Sequence, residues 1–149
     1  MKRMQIQTAS RILAVLAPLL LTCCVPGAPP PSPIIGNWTT QDHNQVTLRE
    51  DAVVVTPDKG KSETLGPRDC NGVYKLQYGR MMTGALQQSF PTQPDLQSKL
   101  KQLLTSPEYP VADVTCDRGG TTYLMLDERR MIAVYRDSGV GGLETYSRL

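Results

Sequence analysis

From residue 36 onward the chain is cut into short apolar runs by turn residues, and this punctuation limits the fold more than any other feature. A helix needs about ten or more residues of 3.6 periodicity, whereas a strand needs only about four to eight with β-branched or aromatic content. The runs are of the second kind: Gly36–Thr40, Gln45–Arg49, Ala52–Thr56, Val73–Tyr78, Val111–Cys116, Thr121–Leu126, Met131–Tyr135 and Leu143–Leu149, with Lys61–Leu65 a further candidate. Pro57–Gly60, Gly66–Asp69, Asn71-Gly72, Asp117–Gly120 and Ser138–Gly142 carry the residues that turns require. In Val73–Tyr78, Tyr74, Leu76 and Tyr78 share one face and Val73, Lys75 and Gln77 the other. Thr121–Leu126 and Met131–Tyr135 read as a hairpin across Asp127–Arg130. The pattern predicts a mainly β fold of about seven or eight strands, a small antiparallel barrel or rolled sheet, with a sandwich as the alternative.

One segment has helical spacing. Leu96, Leu100, Leu103 and Leu104 fall on a single stripe, opposite Gln97, Lys99, Lys101 and Gln102. Pro94 suits a first turn, Thr92 is available as a cap, and Ser106-Pro107 ends the helix. The stripe is expected to pack on the domain; a membrane surface or a partner protein are the other surfaces that could cover it. Residues 79–91 show neither period and are expected to form a long loop with at most one short strand.

The N-terminus reads as a leader. Lys2, Arg3 and Arg11 precede the apolar run Ile12–Leu21, the layout of a secretory signal. The run is shorter than the roughly 20 residues a membrane-spanning helix needs, and Pro18 interrupts it, so an uncleaved anchor is the weaker reading. Val25–Pro33 is proline-rich and reads as an extended spacer. The organisation is therefore 1–23 signal, 24–33 tether and 34–149 a single β-rich domain, within a mature region of about 125 residues.

The cleavage region Leu20-Leu-Thr-Cys-Cys24 resembles the lipobox of bacterial lipoproteins, in which a cysteine becomes the lipidated N-terminus. Cleavage before Cys23 or before Cys24 fits, although the residue ahead of each departs from the Gly, Ala or Ser usual there. Lipidation of Cys24 leaves only Cys70 and Cys116, an even pair. The resemblance implies a lipid-anchored envelope protein. With no Asp after either cysteine, it also implies the outer rather than the inner membrane.

Export places Cys70 and Cys116 in an oxidising compartment, where a disulfide persists. Closing that loop contributes roughly 3–4 kcal/mol on the chain-entropy model. The net charge is +2, with signs interleaved as in Leu48–Asp51 and Asp127–Arg130, so no basic stripe for nucleic acid is present. His43 is the only histidine and lies in the polar segment Gln41–Asn44, where it reads as a turn residue. Two cysteines need further ligands to hold a metal, and a cysteine nucleophile needs a histidine base. No phosphate loop or nucleophile elbow occurs. Carboxylates such as Asp69, Asp113, Asp127 and Glu128 fall in turns and strands without a motif that pairs them. The expectation is a protein without enzymatic activity, metal or other cofactor.

Gly36-Asn37-Trp38 and the terminal Tyr146-Ser-Arg148-Leu149 together resemble the calycin superfamily, which includes lipocalins, avidins and small barrel inhibitors of bacterial metalloproteases. There, Gly-x-Trp lies on the first strand, and an arginine of the last strand packs over the indole and bonds to nearby carbonyls. The resemblance implies that Trp38 and Arg148 form a barrel-closure pair. A helix between strands departs from the lipocalin pattern. The inhibitors share the size, the single disulfide and the export signal, and they insert a proline-flanked N-terminal trunk into a protease.

Three functions are consistent with these features. The first is binding or adaptor action toward a protein partner in the envelope. The second is carriage of a small ligand in a barrel mouth, for which 5% aromatic residues is a thin lining. The third is inhibition of a protease or other hydrolase.

Overall fold

The computed structural model describes residues 31–90, 92–137 and 140–149; the expected signal and most of the expected tether, including Cys23 and Cys24, lie outside them. The architecture is one curled antiparallel sheet of nine strands forming a half-barrel. The strands are β1 Gly36–Thr39, β2 Gln45–Leu48, β3 Val53–Thr56, β4 Glu63–Thr64, β5 Tyr74–Met82, β6 Glu108–Cys116, β7 Gly119–Met125, β8 Arg130–Asp137 and β9 Val140–Arg148. Their spatial order is β4-β3-β2-β1-β9-β8-β7-β6-β5, so the first and last strands meet in mid-sheet and the two edges come from mid-sequence.

Strand periodicity sorts the side chains. Trp38, Val46, Leu48, Val53, Ala112, Val114, Tyr123, Met131, Ala133 and Tyr146 face inward and form one core with Ile34. Val111, Leu124, Ile132 and Val134 face outward and form a second core beneath two helices. Met131–Val134 is thus buried at every residue, because β8 is covered on both faces.

The helices are α1 Thr83–Gln88 and α2 Pro94–Leu103. Leu96, Leu100 and Leu104 are buried against the sheet and Leu103 packs at the margin, so the leucine stripe is covered by the domain itself. Gln93, not Thr92, occupies the cap position, and no side chain caps it there. Its amide oxygen instead accepts the Gly141 N–H at 3.1 Å.

The expected loop at 79–91 is corrected. β5 runs on to Met82 because β6 begins at Glu108, giving pairs from Tyr74↔Cys116 to Met82↔Glu108. Thr83–Gln88 then forms α1, too short to stand alone, held by buried Leu86 with Phe90 just beyond. Gly141 and Gly142 belong to β9 rather than to a turn. A Cβ on Gly141 would sit 2.6 Å from Leu96 and Phe90, so the strand carries glycine where the helices cross it.

Candidate functional site

At the junction of β1 and β9 the register sets Trp38 opposite Arg148. The guanidinium lies 4.5 Å over the indole, and its Nη2 donates to the Pro33 carbonyl at 2.7 Å. The indole N–H donates to the Ile34 carbonyl at 2.9 Å. Trp38 is fully buried and Arg148 exposed, so the ring fills the core while the cation covers it from the solvent side. Two side chains thereby hold the backbone at Pro33 and Ile34, just ahead of β1.

Inside the curl, β8 and β9 build a polar cluster that the sequence pattern did not reveal. The Tyr135 and Tyr146 hydroxyls both donate to the same oxygen of Glu144, the latter at 2.7 Å, and lie 3.2 Å apart. Tyr123 meets Tyr146 edge-on at 6.5 Å. Burial, reinforced by Glu144, pushes the Tyr135 phenol up to about 12 and raises Tyr146 and Tyr123 as well. Across the curl, burial raises Tyr74 and lifts Tyr78 to about 12, and the Tyr78 hydroxyl donates to the Arg49 carbonyl. Tyr78, Tyr135 and Tyr146 each donate a hydrogen bond, whereas the buried Tyr74 hydroxyl has no hydrogen-bond partner among the described residues, and phenols with raised values stay protonated at neutral pH. One signal was available: Gly142, Glu144, Tyr146 and Arg148 alternate, so the partner of Trp38 marks Glu144 as inward-facing.

Cys70 and Cys116 form a disulfide that joins the Pro67–Cys70 turn of 3-10 helix to the end of β6. A cleft of about 500 Å³ beside it is lined by Asp69, Arg118, Tyr135 and Arg136, among others. Of the four carboxylates singled out in the sequence, Glu128 is exposed and the other three have separate structural partners. Asp69 accepts the Gly66 N–H at 2.8 Å. On the outer face Asp113 accepts Arg136 at 2.7 Å, Thr115 at 2.9 Å and the Thr122 hydroxyl. Asp127 accepts the Arg129 and Arg130 amides, both at 2.9 Å, which with the Arg130 side chain hold its carboxyl below the usual range. His43 sits in the β1–β2 turn at φ 61°.

Among the described residues no group of three or more His, Cys, Asp or Glu could hold a metal ion, and no helix is long and apolar enough to cross a membrane. No protein-family model, curated protein or solved structure matches the chain.

Proposed function

We propose that the protein is a non-enzymatic envelope lipoprotein, anchored through Cys24 or Cys23 in the outer membrane, whose rolled sheet is a binding or adaptor module for a protein partner. The observation that carries this reading is the filled concave face. Trp38, Met131 and Ala133 are wholly buried there, and the Tyr135–Glu144–Tyr146 cluster satisfies its own polar groups. Side chains occupy the space in which a lipocalin-like carrier would hold a small ligand, so recognition falls to the outer surface and its loops. The leader and the disulfide support export. A pull-down from envelope extracts with a lipid-free form of the chain tests the binding reading; recovery of no specific partner counts against it.

Inhibition of a protease is the second reading, and the clamp at the tether favours it. With the Pro33 and Ile34 carbonyls fixed by Arg148 and Trp38, the proline-rich segment leaves the domain from a rigid base. Failure of the lipid-free chain to slow envelope or secreted metalloproteases would remove this reading.

A further inference from the structure

The half-barrel has two edges of very different kinds. β4 is two residues long, whereas β5 is nine, roughly 30 Å of extended chain. Hydrogen-bond parity shows what β5 presents. The Thr83 N–H bonds to the Pro107 carbonyl, one step beyond the Met82↔Glu108 pair. In an antiparallel ladder this directs the odd-numbered residues of β5 toward β6 and the even-numbered ones away. Tyr74, Leu76, Tyr78, Arg80 and Met82 therefore turn their N–H and C=O groups to the open edge, where β5 has no second strand among the described residues. Val73, just before this strand, and Met82, at its end, are 52% and 58% exposed, two of the three large hydrophobic residues open to solvent among the described residues.

We propose that β5 is a self-association edge, pairing antiparallel with β5 of a second copy about a two-fold axis at Tyr78. The register that overlaps all nine residues sets Tyr74 against Met82, Leu76 against Arg80 and Tyr78 against itself. Even residues then face even residues, which the hydrogen bonds require. The strand has two charges, Lys75 and Arg80, and neither meets a like charge: Lys75 falls opposite Met81 and Arg80 opposite Leu76. A one-residue slip would place bonding residues against non-bonding ones. Exposed Met82 gains the Tyr74 ring, and Val73 comes beside Thr83. Such an interface is isologous and closes at two copies.

Arg80→Pro is the discriminating substitution. The N–H it removes is not used by β6, the side chain is exposed and paired only with Glu108, and the preceding Gly79 tolerates a following proline. The full chain, purified in detergent, is expected to have the protein mass of a dimer by light scattering, and R80P the mass of a monomer that keeps the wild-type far-UV circular dichroism and still melts cooperatively, below the dimer because association no longer stabilises it. Hydrogen exchange on the wild-type chain supplies a test independent of that variant: the amides of Tyr74, Leu76, Tyr78, Arg80 and Met82 should exchange at least tenfold more slowly in the dimer than on dilution to monomer. A wild-type monomer at every loading concentration, an R80P dimer, or exchange at these amides that ignores concentration would each overturn the proposal.

Discussion

The sheet has two wings that obey different rules. β5–β9 has strands of seven to nine residues, and the middle of β6–β8 is buried on both faces, inward by the core and outward beneath α1 and α2. β1–β4 has strands of two to four residues with one buried face; outside, Asn37, Thr47 and Thr56 hydrogen-bond among themselves or with the nearby Ser62. The first wing is a two-layered scaffold and the second a single-layered flap, joined by the Trp38–Arg148 contact and the β1–β9 ladder. A sheet face with a helix over it can only be apolar, whereas one facing water can carry threonine and asparagine at little cost.

The largest effects should come where the wings meet or where both faces are covered. Trp38→Ala should cost about 3–5 kcal/mol in urea unfolding, because it empties the inner core and frees the Ile34 carbonyl. On the same outer face of the two wings, Ile132→Ala should cost about 2–5 kcal/mol and Thr47→Ala within about 0.5 kcal/mol. Equal losses at the two sites would erase the distinction between wings. Gly141→Ala should cost about 1–3 kcal/mol by forcing Leu96 and Phe90 off β9, visible as lost helical signal before the sheet melts.

Alkaline pH probes the inner cluster. Tyr78 and Tyr135 have folded values near 12 against an ordinary 10, so the folded state holds their protons more tightly. Their contribution is fully present below pH 10 and is lost as pH rises through about 12, so stability should fall across that window. Tyr135→Phe should shallow the fall; an unchanged pH profile would mean that the cluster is not coupled to folding. The smallest effect is expected at the surface pair Arg80–Glu108, where both side chains are about half exposed and loss of the pair should cost under about 1 kcal/mol.

How much was legible in the sequence follows the same division. Gln45–Leu48 and Val53–Thr56 were plain because turns bracket them, and Met131–Tyr135 because a continuous apolar run of that length has few other uses. The leucine stripe was legible because α2 is long enough to show its period. The end of β5 and all of α1 were not: Gly79–Gln88 is mixed in character and draws its structure from β6 and from buried Leu86. β6 also starts earlier than the Val111–Cys116 run, at Glu108, and so takes in Pro110. The proline is tolerated because its missing N–H would point toward β7, whose pairing starts only at Val111↔Leu124. Glu144 was hidden because a carboxylate on a terminal strand ordinarily signals solvent, and the phenols that satisfy it come from separate parts of β8 and β9.

The central claim is a lipid-anchored domain whose interior is filled by its own side chains. The most direct measurement is the native mass of the full chain purified from its host membrane. The account predicts a chain beginning at Cys24 or Cys23, carrying acyl groups, oxidised at Cys70 and Cys116, and with no co-bound small molecule. An unacylated chain beginning at Met1, or a stoichiometric small ligand in the native spectrum, would contradict it.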